Sequence, residues 1–221
     1  MSKRATAVLL AGGSGTRMGT RENKIFLPLA GRAVLLHSLE SVAAHPRVKQ
    51  IVLVTRPADE AYLQELLQGF PPGKPYQIVH GGGTRQQSVA NALAVVQTPH
   101  VLIHDAARPF ITAQQITNCL QMLKTHHGAT SACPVQKAVY RRNNQNLNRL
   151  TGTLYAAQTP QGFRTKTLKK CHAKRRDMVS ATDDSSLLEQ AGYSVAIATG
   201  DPQNIKITTP LDLVLAEQLV R

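Results

Sequence analysis

The sequence predicts an α/β fold: a mostly parallel sheet flanked by helices, with a β-arm projecting from it. Three observations carry this prediction. Short apolar runs alternate with stretches of helical spacing, several of those runs end in a glycine-rich or charged turn, and one long segment in the second half breaks the alternation. At 221 residues the chain is expected to form one domain over 1–221.

Residues 5–11 (ATAVLLA) are a continuous apolar run that stops at Gly12-Gly13-Ser14-Gly15, the pattern of a strand buried on both faces. Leu35, Leu39, Val42 and Ala43 recur at helical spacing over 34–44. IVLVT at 51–55 reads as a second buried strand, and 58–67 as a helix. Residues 77–80, a helix near 86–96 and VLIH at 101–104 repeat the cycle. Ile116, Cys119, Leu120 and Leu123 mark one face of a helix after Pro109. Between 132 and 158 there is no helical pattern. A polar turn, Asn143-Asn144-Gln145-Asn146, separates extended runs at 139–142 and 147–151, so this segment is read as the arm. Excursions of that length in compact domains usually serve function or a partner. Residues 164–176 carry seven Lys and Arg in thirteen positions, which reads as the solvated face of a helix. Residues 204–208 alternate as a half-buried strand. Pro210, a favoured first-turn residue, opens a last helix expected to bury Leu211, Val214, Leu215 and Leu219.

Composition narrows the function classes. Apolar residues make up 42% of the chain, globular once glycine is added, which excludes a disordered, collagen-like or disulfide-stapled chain. No apolar run approaches the length of a membrane helix, and the first apolar run is cut short by the glycine loop, so neither a membrane span nor a secretory signal is expected. The net charge of +13 points to polyanionic or phosphorylated partners. Aromatics are only 4% with no Trp, so the stacking platforms of single-strand RNA or DNA binders are scarce, and nucleic acid is not the expected partner despite the charge. Cys119, Cys133 and Cys171 have no CxxC spacing and read as reduced thiols of a cytoplasmic protein; no zinc spacing appears.

Four segments carry candidate chemistry. Residues 11–19 follow the first strand; glycines at the C-terminal end of a parallel strand let backbone N–H groups approach a phosphate. The loop is neither a Walker motif, lacking GK[ST], nor GxGxxG, because the third glycine is one residue late. Instead Arg17 lies inside it and Lys24 follows, two cations suited to charge building on a phosphoryl group and expected to be partly exposed in the crevice. Asp105, in His104-Asp105-Ala106-Ala107-Arg108-Pro109, ends the 101–104 strand and points into the same crevice, where it could hold Mg²⁺, cap the turn or pair with Arg108; His104 reads as a packed strand-end histidine. Arg85 and Ser88 follow Gly81-Gly82-Gly83 at a helix start, placed to read a base or ribose. Lys206 draws notice only from context.

In this order, the GGSGTRMG loop, NKIFLPLAG, GGGTRQQS, HDAARPF, AQTPQGF, ATDD and NIKITTPLDL closely resemble the 2-C-methyl-D-erythritol 4-phosphate cytidylyltransferases of the non-mevalonate isoprenoid pathway. The resemblance implies a Rossmann-like nucleotidyltransferase fold, a Mg²⁺ cofactor at Asp105, and transfer of a cytidylyl group from CTP to the methylerythritol phosphate. It implies Arg17, Lys24 and Lys206 as catalytic, the first two on the α-phosphate and the third on the acceptor. Ala11, Gly12, Gly13 and Gly15 would wrap the triphosphate, and Gly82, Arg85 and Ser88 would contact cytosine and ribose. Arg108, Thr159 and Thr182 would line the acceptor site, with Thr151 beside them; Thr182 also suits a helix N-cap. A cytoplasmic homodimer joined through the arm at about 132–158 is expected.

The arm departs from the family pattern. Lys137-Ala138 stand where Asp-Thr is usual, and Thr151 stands where an arginine is usual. These substitutions motivate two alternatives: another polyol phosphate acceptor such as ribitol 5-phosphate, or a non-catalytic nucleotide- or RNA-binding relative.

Overall fold

A computed structural model of the chain describes residues 4–13, 23–174 and 182–220. Gly15, Arg17, Arg175 and Arg176 lie outside the described residues. In chain order the strands are β1 (Ala5–Leu10), β2 (Pro28–Leu29), β3 (Arg32–Ala33), β4 (Val48–Thr55), β5 (Tyr76–His80), β6 (His100–Asp105), β7 (Gly128–Pro134), β8 (Tyr140–Asn143), β9 (Asn146–Arg149), β10 (Tyr155–Arg164) and β11 (Val195–Thr199). The helices are α1 (Val34–Ala44), α2 (Glu60–Gly69), α3 (Arg85–Val95), α4 (Ala113–Met122), α5 (Thr165–Lys174), α6 (Asp184–Gln190) and α7 (Pro210–Leu219).

Seven strands form the central sheet in the order β11-β7-β10-β6-β1-β4-β5. Four of the six pairings are parallel, and β10 runs antiparallel to both its neighbours. The period of two in a strand sends alternate residues to opposite faces. Ala5, Ala7 and Leu9 pack with Leu35 and Leu39 of α1 and Leu120 of α4, while Val8 joins Val89 of α3, Leu168 of α5 and Leu187 of α6. Both faces of β1 are thus covered, which explains why its sequence is an unbroken apolar run. Each such fully buried Leu or Val contributes about 1.5–3 kcal/mol.

Connectivity fixes where a ligand would sit. From β1 the chain moves outward to β4 and β5, then returns to β6 on the other side of β1. The strand order thus reverses its direction between β1 and β6, and the C-terminal ends of strands at such a point are the usual ligand position in open α/β sheets.

Four expectations need correction. The projecting part of the arm is shorter than 132–158, because β7 runs in the sheet to Pro134 and β10 re-enters it at Tyr155; between them β8 and β9 pair as an isolated hairpin whose eight residues are all exposed. Residues 204–208 form no strand: Asn204 and Ile207 are buried, but the backbone bond from Ile207 N–H to the Ala107 carbonyl replaces a ladder. In α7, Leu211, Val214 and Leu215 are 76%, 60% and 48% exposed, and the helix docks instead through Ala216 and Leu213 against Leu29, Val34 and Ile207. The periodicity finds this helix but not the face it buries. Finally, the cap of α6 is Asp183, which exchanges bonds with Ser186, and Thr182 precedes it, exposed.

The last helix is held by its N-terminus. Thr209 caps it, accepting from the Asp212 N–H, and Asp212 Oδ2 accepts from the N–H and O–H groups of both Thr208 and Thr209 at 2.6–2.9 Å. Desolvation raises the Asp212 carboxyl, but these donors outweigh it and lower it to about 2. A depressed carboxylate adds stability above its unfolded value and loses it as pH falls through the folded one. Asp212→Asn is therefore expected to destabilise the chain by about 1 kcal/mol at neutral pH, with the difference from the unmutated chain shrinking between about pH 4 and pH 2. Urea denaturation at a series of pH values checks this; a difference independent of pH would show that the carboxylate charge is irrelevant to the cap.

Candidate active site

The described residues that follow β1, the loops after β5 and β6 and the 204–208 segment line a cleft of about 400 Å³. Gly12, Gly13, Lys24, Gly82, Arg85, Ser88, Asp105 and Lys206 all line it, eight of the residues singled out from the sequence. Ala11 is fully buried behind this wall. A Cβ on Gly13 would meet nothing within 4 Å among the described residues, so the missing side chain serves the space rather than the packing. Gly82 differs: a Cβ there would lie 2.4 Å from the Gln87 Cβ, so only glycine permits this turn.

Lys24 sits in a single 3₁₀ turn, Lys24–Phe26, and is buried rather than partly exposed as expected. Asn23, which no sequence pattern singled out, sets its position. Its amide donates to the Ala11 carbonyl at 2.8 Å and to Asp59 Oδ2 at 2.9 Å, and its Oδ1 caps the turn at the Ile25 N–H. Asp59 is in turn gripped in a bidentate manner by Arg56. The end of β1, the Lys24 turn and the segment after β4 are thus tied through one side chain that is 2% exposed. The available signal was the residue type, since asparagine favours the position before a turn.

The glycine loop after β5 is braced from inside. Thr84 caps α3, and the Ser88 hydroxyl donates to the Thr84 carbonyl while accepting from the Gly82 N–H. Arg85, first residue of α3, reaches Asp184 Oδ2 at 2.6 Å.

At the end of β6, Lys206 Nζ donates to Asp105 Oδ2 at 2.7 Å, with Arg108 Nε at 3.8 Å. Burial raises the Asp105 carboxyl, but the Lys206 and Arg85 charges and the Lys206 hydrogen bond lower it below the ordinary carboxylate range, so it is ionised. Arg108 lies beside the cleft and spends Nη1 on the Asn204 carbonyl. Beneath this turn, burial pushes His104 down to about 4, so the ring is neutral. Its Nε2 faces the Arg108 carbonyl at 3.1 Å, which can only accept, so Nε2 carries the proton and Nδ1 accepts from the Thr159 hydroxyl at 3.0 Å. Thr159 Oγ1 also accepts from the Asp105 N–H at 3.0 Å. The hydroxyl of Thr159 therefore donates its one proton inside the protein, and what this residue supplies to the site is the position of Asp105.

Thr151 at the arm base and Thr182 before α6 are exposed and do not line the cleft. Among the described residues no group of three or more His, Cys, Asp or Glu side chains could hold a metal alone. Asp105 is the one carboxylate in the cleft lining among the described residues, and its Oδ1 makes no hydrogen bond to any of them. One carboxylate beside a phosphate site suits Mg²⁺, which takes few protein ligands and completes its shell with phosphate oxygens and water.

The family model for 2-C-methyl-D-erythritol 4-phosphate cytidylyltransferase matches residues 5–221. Enzymes so named from Prochlorococcus marinus and Caldanaerobacter subterraneus are 39% and 38% identical, over 96% and 98% of this chain and of theirs. Among solved structures, the 4-diphosphocytidyl-2C-methyl-D-erythritol synthase of Anaerococcus prevotii superposes with a TM-score of 0.89 at 26% identity, covering 100% of this chain and 99% of its own. The 2-C-methyl-D-erythritol 4-phosphate cytidylyltransferase of Thermus thermophilus gives 0.78 at 31% identity, covering 97% and 98%. With the glycine loops, both lysines and the strand-end aspartate gathered in one cleft, the chain belongs to the 2-C-methyl-D-erythritol 4-phosphate cytidylyltransferase family and is a nucleotidyltransferase.

Proposed function

We propose that this chain transfers a cytidylyl group from CTP to 2-C-methyl-D-erythritol 4-phosphate in the cleft at the ends of β1, β5 and β6. The observation that carries this reading is the convergence of Lys24, Arg85, Asp105 and Lys206 on one cavity beside two glycine loops. A ribitol phosphate acceptor and a non-catalytic role find no support in the relatives.

The acceptor phosphate, already anionic near neutral pH, attacks the α-phosphorus of CTP in line, and pyrophosphate leaves; no general base is required. Lys24, and Arg17 outside the described residues, stabilise the charge that grows on the α-phosphoryl oxygens. Gly12 and Gly13, with Gly15 outside the described residues, leave room for backbone N–H groups at the triphosphate. Gly82, Arg85 and Ser88 hold the nucleoside, and Lys206 orients the acceptor phosphate. Positioning and fixed charge supply most of the acceleration in phosphoryl transfer of this kind. Asp105 would hold Mg²⁺, which when bound neutralises phosphate charge.

The chain acts as a cytoplasmic homodimer. Isolated two-stranded hairpins are marginal in water, and the β8–β9 hairpin exposes Tyr140 and Leu147, apolar surface that a second copy would cover. Three free cysteines suit a reducing compartment, and no described helix is long and apolar enough to cross a membrane.

The direct test is pyrophosphate release from CTP and Mg²⁺ with methylerythritol phosphate against other polyol phosphates; release with none of them would overturn the reading. Lys24→Ala should lower kcat by roughly 10²–10³ with the fold retained, and near-normal turnover in a folded variant would remove Lys24 from the mechanism. Asp105→Asn should raise the Mg²⁺ concentration needed for half-maximal rate much more than it lowers Tm; full activity at low Mg²⁺ would leave Asp105 as a partner of Lys206 alone.

For the arm, Lys137 stands within the substituted pair and is exposed; in the proposed dimer it would reach toward the second copy's cleft. A lost charge-assisted hydrogen bond weakens binding by roughly ten- to a hundredfold. Lys137→Ala is therefore expected to raise the KM of the acceptor, and Thr151→Arg to lower it, with the KM of CTP little changed. Unchanged acceptor constants in both variants would mean that the arm does not reach the acceptor.

A further inference from the structure

Behind the cleft, three helices meet on one carboxylate. Asp184, at the start of α6, is fully buried; its Oδ2 accepts from Arg85 Nη1 at 2.6 Å and its Oδ1 from His172 Nε2 at 3.0 Å. His172 comes from α5 and its side chain is 6% exposed, whereas the Arg85 side chain is 30% exposed and lines the cleft. The Arg85 side chain makes no other hydrogen bond among the described residues. Neither Asp184 nor His172 lines the cleft.

A buried carboxylate persists only when its charge is matched. Burial raises the Asp184 carboxyl, and the bonds from His172 and Arg85 more than reverse it, so the group is ionised. The second carboxylate oxygen is what makes the arrangement directional. With Oδ1 fixed by His172, Oδ2 has one orientation, and the guanidinium that meets it has one too. An arginine left loose must lose its rotamer freedom each time a ligand binds; here that loss is taken at folding.

We propose that Asp184, oriented by His172, is a positioning residue that holds the Arg85 guanidinium ready at the nucleotide end of the cleft and so sets the affinity for CTP without acting in the chemical step. The proposal rests on the reading above that Arg85 contacts the nucleotide.

Steady-state kinetics on the full chain, varying CTP and acceptor separately, test it. Asp184→Asn keeps the shape of the side chain and removes its charge; it should raise the KM of CTP roughly threefold to tenfold, leaving kcat and the acceptor KM within about twofold. His172→Gln should move the same constant in the same direction by less. In a cycle with Arg85→Ala, the double variant Arg85→Ala/Asp184→Asn should bind CTP no more weakly than Arg85→Ala alone. A CTP constant raised by Arg85→Ala but untouched by Asp184→Asn overturns the positioning role and leaves the reading of Arg85 standing. A CTP constant untouched by Arg85→Ala overturns that reading, and the proposal with it. A fall in kcat together with a rise in both KM values, or multiplicative effects in the double variant, would mark Asp184 as structural and overturn the proposal as well. If Asp184→Asn does not fold, His172→Gln decides: an unchanged CTP constant in that variant overturns the proposal.

Discussion

The geometry of the cleft depends on the contact between Lys206 and Asp105, 2.7 Å apart in space and 101 residues apart in sequence. It closes the C-terminal segment over the end of β6, and that segment brings no ladder of its own to hold it there. Instead the Asn204 amide donates to the Thr159 carbonyl, the Ile207 N–H to the Ala107 carbonyl, and Arg108 to the Asn204 carbonyl. With side chains 37% and 13% exposed, this ion pair is worth little as a stabilising contact. Its consequence is placement: it sets a cation and an anion side by side at the mouth of a parallel sheet.

Placement of Asp105 in turn requires a neutral imidazole. A protonated His104 would have no lone pair for the Thr159 hydroxyl and would add a buried charge beneath Arg108 and Lys206. Burial prevents this by pushing the ring down to about 4. Thr159 then carries the register of β10 into the site, because the hydroxyl that donates to His104 also receives the Asp105 N–H. The antiparallel insertion of β10 beside β6 is therefore part of the framework of the cleft and not only a sheet-building detail.

What could be read from the sequence follows from how much one residue type determines. β1, β4 and β6 are apolar on both faces, so their sequences are unmistakable, and α1 was expected at 34–44, where the structure has it. Strands β7 and β10 were not anticipated, because Gly, Thr, Ser, Gln and Pro interrupt them, whereas β11 was passed over although its five residues, VAIAT, are an apolar run; in β10, Gln161 and Thr159 face inward with polar atoms bonded to Thr130, Asp183 and His104. The exposed apolar face of α7 misled for the opposite reason: Leu211, Val214 and Leu215 have the spacing of a buried stripe, yet small Ala216 makes the close contact. In the site, glycine loops and charged residues were legible since phosphate chemistry demands those types. The roles of Asp184 and His172 were not, since they act through contacts between separate segments that no local pattern encodes, and for Asn23 the residue type pointed to its cap but not to its bonds with Ala11 and Asp59.

The buried supports and the cleft-lining groups divide the work in a consistent way. Asn23, His104, Thr159 and Asp184 are almost fully buried and bond to protein groups, whereas Arg85 and Lys206 keep part of their side chains open to the cleft. A charge stabilises a transition state most when it need not reorganise as the reaction proceeds. Here Arg85 is held from behind by the buried Asp184, while Asp105, the partner of Lys206, is itself placed by the Thr159 hydroxyl, so these groups are fixed without their cleft face being covered. The net charge of +13 is a separate matter, since the exposed lysines of α5 and the arginines of the arm lie on elements that do not line the cleft. Few fixed charges, placed by neutral or paired groups behind them, are what distinguish this site from the basic surface around it.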